Sequence, residues 1–269
     1  MTSTSTTTLG AAFTERAVEA AGFRVRCFEA GDGPPVIFLP GAGPLKMTFA
    51  LDSLAERFRV IAVEYPGWGE QQSDVADFDG LARQVAAIAT ALDLERFHLM
   101  GTSFGGACAL HFVTLFPERV ESLVLEAPAK FRDGSVDPAS LAPDEFARAF
   151  RSHPEREPHL APPDPEFMAR VWPTVVRLMG DGSDDGLGAR LAELPTRTLI
   201  LFGRDDGIIN PINGRTLRRL LRNSSLQYVF DAAHDIQCDR PEAFADVVGD
   251  FLQRGMKFLI NEQDGLINP

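Results

Sequence analysis

Six short runs of almost unbroken apolar residues, separated by longer helical stretches, restrict what this chain can fold into. They are "VIFLP" (Val36–Pro40), "RVIAVE" (Arg59–Glu64), "FHLMGT" (Phe97–Thr102), "SLVLEA" (Ser122–Ala127), "RTLILFG" (Arg197–Gly203) and "LQYVFD" (Leu226–Asp231). A strand with one face in water alternates apolar and polar residues. Runs without that alternation read as strands covered on both faces, as in a parallel sheet. Two segments do alternate, "FTERAVEA" and "FRVRCFEAG", on either side of Ala21-Gly22. They predict an antiparallel hairpin at the sheet edge.

The intervening stretches carry helical periodicity. "DGLARQVAAIATALD" (Asp79–Asp93) has an apolar stripe, and "FGGACALHFVTLF" (Phe104–Phe116) is apolar almost all round until Pro117 stops it. "NGRTLRRLLRN" and "PEAFADVVGDFLQR" are amphipathic. Strand and helix in alternation predict an α/β fold built on a doubly wound, mostly parallel sheet.

One stretch breaks the alternation. Residues 130–194 hold no convincing strand and are rich in Pro, Asp and Gly, with helical pieces near Pro143–Ser152, Pro165–Met179 and Asp185–Glu193. A structureless loop of that length is uncommon in a compact domain, so the segment reads as an inserted helical lid. The core then has two parts, 1–129 and 195–269. Within the first, residues 1–12 are expected to be disordered, beginning with the Ser/Thr-rich "MTSTSTTT".

Charge and cysteine content exclude several classes of function. A net charge of −12 argues against nucleic acid and anionic membrane as partners. No run reaches the ~18 apolar residues of a membrane-spanning helix. The N-terminal residues lack the features of a signal or transit peptide. Cys27, Cys108 and Cys238 have no C-x-x-C spacing. They read as buried free thiols in a reducing cytoplasm, and no His/Cys spacing suggests a metal. The chain is therefore expected to be cytoplasmic and to need neither metal nor cofactor.

The chemistry centres on "MGTSFGGA" (Met100–Ala107). Ser103 follows a buried strand and opens a buried helix. That is the context in which G-x-S-x-G marks a nucleophile held on a sharp turn. Gly101 and Gly105 let strand and helix pass closely, and the hydroxyl stands at the positive end of a helix. A serine needs a base to become a good nucleophile. Of the five histidines, His98 lies within a strand, His111 within the buried helix, and His153 and His159 in the 130–194 segment. His234 instead occupies the loop after the last strand, at the same carboxyl edge as Ser103, where catalytic groups of open α/β sheets gather. An orienting carboxylate is also needed. "LFGRDDGIIN" supplies Asp206, the preferred candidate, and Asp205 beside it; Glu126, ending "SLVLEA", is a third. The order Ser, Asp, His differs from both protease orders.

The segments "FLPGAG", "VEYPGWG", "GTSFGG", "FPERVESLVLEAP", "LFGRDDGIIN" and "AAHDIQCDRPEAF" together resemble the α/β-hydrolase fold family from about residue 13 onward. The resemblance implies that the acid stands three residues after the glycine ending its strand. From Gly203 that is Asp206; a subset of the family uses the position matching Glu126. It also implies an oxyanion hole made by the backbone N–H groups of Phe104 and of Ala42, in the loop after the Val36–Leu39 strand. Family members commonly carry His-Gly in that loop. Pro40-Gly41 stands here, so the usual support of the loop is missing. The turn at Gly67-Trp68-Gly69 reads as structural.

The leading expectation is a serine hydrolase that cleaves a small carboxylic ester or related acyl compound through an acyl-enzyme. Its partner is a small apolar acyl substrate; no oligomeric state follows from the residues. Phe131, Phe146, Phe150, Phe167, Met168 and Trp172 are candidates to line the pocket. Carbon–carbon bond hydrolysis, as in meta-cleavage product hydrolases, is an alternative. Those enzymes often carry Asn before the serine and Trp after the histidine, where Thr102 and Asp235 stand here. Perhydrolysis shares the same triad. A binding protein with little or no catalysis is a third class, since fold alone does not decide function.

Overall fold

The computed structural model describes residues 9–69, 73–136, 140–156, 164–180, 186–258, 260–261 and 266–267. The hairpin forms as expected: β1 (Thr14–Ala20) pairs antiparallel with β2 (Phe23–Ala30). The apolar runs become β3 (Pro35–Leu39), β4 (Arg59–Val63), β5 (Phe97–Thr102), β6 (Val120–Glu126), β7 (Arg197–Gly203) and β8 (Ser224–Val229). All eight strands lie in one sheet of order β1-β2-β4-β3-β5-β6-β7-β8, parallel from β4 to β8.

The strands lack alternation because both faces are covered. Ile37, Leu39 and Leu99 point into one core with Val85 and Phe112, from α2 (Phe78–Ala91) and α3 (Phe104–Leu115). Val36, Phe38 and Met100 point into the other with Leu51, Phe244 and Phe251, from α1 (Phe49–Ala55) and α9 (Pro241–Arg254). The sequence reading does not anticipate α1. Seven residues are too few to display a period, and what starts the helix is the Thr48 side chain, which accepts the Leu51 N–H.

Between β6 and β7 the described residues contain α4 (Pro143–Phe150), α5 (Pro165–Met179) and α6 (Leu187–Ala192), and no strand. After β7 come α7 (Asn213–Leu220) and, beyond β8, the one-turn α8 (Ile236–Asp239), also not anticipated. The disorder expected through residue 12 is corrected for 9–12. Leu9–Ala12 are turns, and the Gly10 N–H donates to Asp52 Oδ2 at 2.8 Å. Residues 1–8 lie outside the described residues, as does His159. Cys27, Cys108 and Cys238 are buried and unbridged. No helix among the described residues is long and apolar enough to cross a membrane.

The sheet sets where a site can form. From β3 the chain goes to β4 on one side, then to β5 on the other. The carboxyl ends of β3 and β5 are therefore neighbours, with Leu39 beside Gly101, and their loops diverge. Such a switch point is where open α/β sheets keep a crevice.

Candidate active site

Ser103 occupies the turn between β5 and α3 at φ 51° and ψ −113°. A non-glycine residue there carries strain of about 1–3 kcal/mol, held by its surroundings. Three features hold it. Its N–H donates to the Glu126 carbonyl at 2.9 Å, and its carbonyl accepts from Ala129 N–H at 2.9 Å. Glycines supply the third: a Cβ on Gly105 would overlap the Leu39 and Pro40 carbonyl oxygens, and one on Gly101 would overlap the Gly105 carbonyl.

The β3 loop reaches the same point. A Cβ on Gly41 would lie 3.6 Å from Ser103 Cβ, which sets Ala42 beside the Ser103 turn. Phe104 is the first residue of α3, where N–H groups have no partner within the helix. Pro40 turns out to be supported by a residue that the sequence reading missed. The buried Tyr65 hydroxyl donates to the Pro40 carbonyl at 2.9 Å. Tyr65 packs edge-on against Trp68 and Phe104, at ring separations of 4.6 and 5.4 Å. The "YPGW" turn therefore braces the loop after β3.

His234 and Asp206 meet. His234 Nδ1 lies 2.9 Å from Asp206 Oδ2, with the two side chains 3% and 0% exposed. Such burial excludes competing water, so the pair interacts far more strongly than an exposed one. The other Asp206 oxygen, Oδ1, accepts the Ile208 and Ile209 N–H groups, each at 2.9 Å. Asp205, beside it, is exposed. Burial by itself pushes the His234 pKa down. The Asp206 charge and hydrogen bond, with Glu126 and Asp235 behind them, outweigh it and raise the imidazole above its ordinary value. The close approach of the two loops needs Gly203, where a Cβ would overlap the Ala232 and Ala233 carbonyls.

Glu126 is fully buried and takes different partners. Its Oε1 accepts the Gln237 backbone N–H at 3.1 Å; its Oε2 accepts the Thr102 hydroxyl and the Gln237 side-chain amide, both at 2.5 Å. Burial, with Asp235 nearby, pushes its carboxyl up to about 7.

The end of α4 contacts the residues next to Asp206 and His234. Gly207 N–H donates to the Ala149 carbonyl at 3.1 Å, and Asp235 N–H to the Phe150 carbonyl at 3.0 Å. The Phe150 ring lies 5.4 Å from the His234 ring. Arg151 holds Asp235 with contacts of 2.8 and 2.6 Å to one carboxylate oxygen. Asp239 accepts the N–H groups of Ala233, Ser152 and His153 at 2.7–3.0 Å. These contacts join residues far apart in the chain, and no sequence signal announced them. Of the six candidate lining residues, Phe131, Phe150, Phe167, Met168 and Trp172 pack against the core, while Phe146 is half-exposed and stacks on Phe150.

The remaining described histidines have other partners. Burial lowers His98, on β5, to about 4. His111 Nδ1 lies 2.6 Å from Asp79, which Arg190 of α6 also holds. His153 is bound by Glu155 and Asp231 at the surface.

Comparison with known proteins agrees with this architecture. The model of the alpha/beta hydrolase family matches residues 36–247. A 2-hydroxy-6-oxo-2,4-heptadienoate hydrolase of Pseudomonas putida is 29% identical over 88% of this chain and 95% of its own. A 2-hydroxymuconate semialdehyde hydrolase of Pseudomonas sp. strain CF600 is 28% identical over 88% and 93%. Among solved structures, a 2-hydroxy-6-oxo-6-phenylhexa-2,4-dienoate hydrolase from Rhodococcus sp. strain RHA1 superposes with a TM-score of 0.75. It is 22% identical and covers 90% of this chain and 99% of that one. With the strained Ser103 turn at the switch point of the sheet, and a family match running from β3 into α9, the chain belongs to the alpha/beta hydrolase family and is a hydrolase.

Proposed function

We propose that Ser103, His234 and Asp206 act as a catalytic triad that hydrolyses the bond between an acyl carbonyl and its leaving group in a small apolar compound. The observation that carries this is the His234–Asp206 contact of 2.9 Å between two buried side chains, at the sheet edge that also carries Ser103. Ser103 Oγ attacks the carbonyl carbon while His234 takes the hydroxyl proton, and Asp206 stabilises the imidazolium. The N–H groups of Ala42 and Phe104 receive the developing oxyanion. His234 returns the proton to the leaving atom as its bond to the acyl carbon breaks. Water, deprotonated by His234, then releases the acid and restores Ser103. Asp205 and Glu126 have no part in proton transfer on this reading.

The relatives favour carbon–carbon cleavage. Both curated proteins named above are dienoate or semialdehyde hydrolases, matched over 88% of this chain. The leaving atom is then a carbon, stabilised as an enolate-like anion until it is protonated. Ester hydrolysis is the second reading, and one observation favours it. Thr102 and Asp235, at the positions where the meta-cleavage type often has Asn and Trp, are occupied by Glu126 and Arg151. The two readings separate in one assay: turnover of 2-hydroxy-6-oxo-2,4-heptadienoate against p-nitrophenyl esters of graded chain length. A kcat/KM at least tenfold higher for the dienoate supports C–C cleavage, and the reverse supports the ester. Perhydrolysis would appear as peroxide-dependent product. Ligand binding without turnover of any compound, and no covalent labelling of Ser103, would support the non-catalytic class.

We also propose residues 130–194 as a lid over the site, inserted between core parts 1–129 and 195–269. The contacts of Ala149–His153 with the residues next to Asp206 and His234 support it. Three buried thiols, unbridged, fit the reducing conditions of the cytoplasm.

A further inference from the structure

Glu126 is buried, and its hydrogen-bond partners among the described residues include no cation, a costly arrangement that its surroundings must justify. Its carboxylate receives one backbone N–H, one amide N–H and one hydroxyl, so three donors converge on two oxygens. Ionised, as it is above about pH 7, the group only accepts and satisfies all three; an amide at this position would bring its own N–H groups to a place already full of donors.

The donors come from separate loops. Thr102 immediately precedes Ser103. Gln237 lies three residues after His234, and its Nε2 also donates to Thr102 Oγ1 at 3.0 Å. The Gln237 Oε1 in turn accepts the Thr48 hydroxyl at 3.2 Å. Thr48 closes the loop that begins with Pro40 and contains Ala42, and it starts α1 by accepting the Leu51 N–H. Glu126 itself receives the Ser103 N–H on its backbone carbonyl. One buried cluster thus touches the nucleophile turn, the histidine loop and the oxyanion loop.

We propose that Glu126 is a positioning residue: through Gln237, Thr102 and Thr48 its carboxylate locks these three loops into the arrangement in which Ser103 reacts. This rests on the triad reading above. The titratable groups whose charge couples to it are Asp235 and His234, both on the histidine loop. Loss of the Glu126 charge removes one of the influences that raise His234. A change at Glu126 should therefore alter both the rate at Ser103 and the pH at which that rate falls. A charge acting only at a distance would move the pH and leave the limiting rate above it unchanged, so the limiting rate is the readout of positioning.

The test uses the full chain and a fluorophosphonate that labels the reactive serine, with the single-turnover labelling rate measured from pH 5 to 9. Thermal melts establish folding, and Ser103→Ala is the blank. Above pH 7, where Glu126 is ionised, Glu126→Gln should label about 10- to 100-fold more slowly, the scale of a misplaced reacting group, and its acid limb should move to lower pH. Thr102→Val should also slow labelling, and Thr102→Ser, which keeps the hydroxyl, should restore it. Folded Glu126→Gln that labels at the wild-type limiting rate overturns the proposal, whether or not the limb moves. If Glu126→Gln does not fold, the threonine pair decides: equal rates for Thr102→Val and Thr102→Ser overturn it. Failure of the wild type to label at Ser103 sinks the triad reading, and the positioning role with it; that result is distinct from normal labelling of every variant.

Discussion

His234 Nδ1 and Asp206 Oδ2 stand 2.9 Å apart, and the second Asp206 oxygen is held by two consecutive backbone N–H groups. The backbone thus takes up Oδ1, and the imidazole contacts Oδ2. That fixes the ring with its Nε2 available on the opposite side, since the two ring nitrogens point apart.

Asp206→Asn keeps the shape of this contact and removes its charge. Turnover should fall by about 10⁴-fold, as for the comparable change in a serine triad. Glu126→Gln should cost far less. Turnover of both on one substrate at saturation, with folding checked by thermal melt, compares them directly. If Glu126→Gln were the crippled variant and Asp206→Asn nearly normal, the acid would belong to β6 instead of β7.

Ser103→Ala and His234→Ala should each lower turnover by several orders of magnitude, and the double variant should be little worse than either. Groups that act as one unit lose their joint effect when any member goes. Additive losses, or near-normal turnover of either single variant, would contradict a shared mechanism.

The pH profile follows from His234. On the proposed triad His234 must be neutral to accept the serine proton, and its pKa is raised from 6.5. Acylation should therefore fall as pH drops through an apparent pKa above 6.5, with the neutral base fully available only at higher pH. Stability carries the opposite sign. A histidine with a raised folded-state pKa adds stability below its unfolded value, and this is lost as pH rises through the folded one. Burst-phase acylation rates between pH 5 and 9 test the first expectation. A flat profile with acylation rate-limiting would reject it.

Glu126 gives a second pH signature. Its carboxyl is raised from 4.5 to about 7. Between those values the folded state holds a proton that the unfolded chain has released, so this group's contribution to stability declines as pH rises from about 4.5 to 7. Glu126→Gln should remove that decline. The melting temperature of the variant relative to wild type should thus increase across the window; a constant difference would contradict it.

Tyr65→Phe removes the hydroxyl that supports Pro40 and leaves the Pro40 carbonyl without that donor. A cost of about 1–3 kcal/mol in stability is expected for an unsatisfied buried group. The effect on function should be larger than this residue's distance from the triad in sequence suggests, because the same loop carries Ala42. Turnover should fall while KM changes little, since the oxyanion forms only after the carbonyl is attacked. A raised KM with normal turnover would argue instead for a role in ground-state binding.

Much of this molecule was legible in its residues because the relevant forces are local or periodic. Uninterrupted apolar runs such as "VIFLP" mean two covered faces, and both core layers bear this out. Ser103 between Gly101 and Gly105 could be recognised because a strained turn and two close backbone crossings require those residue types in that order. Asp206 and His234 could be nominated, since each follows an apolar strand at the same edge. Tertiary structure decided what depends on contacts between distant segments. Three carboxylates at strand ends look alike in sequence; only packing pairs Asp206 with His234, exposes Asp205 and encloses Glu126 among Gln237 and Thr102. The same holds for Tyr65 beneath Pro40 and for Asp239 beneath Ser152 and His153. A hydrogen bond between residues separated by dozens of positions leaves no period or spacing to read, because its geometry exists only once the sheet has brought the loops together.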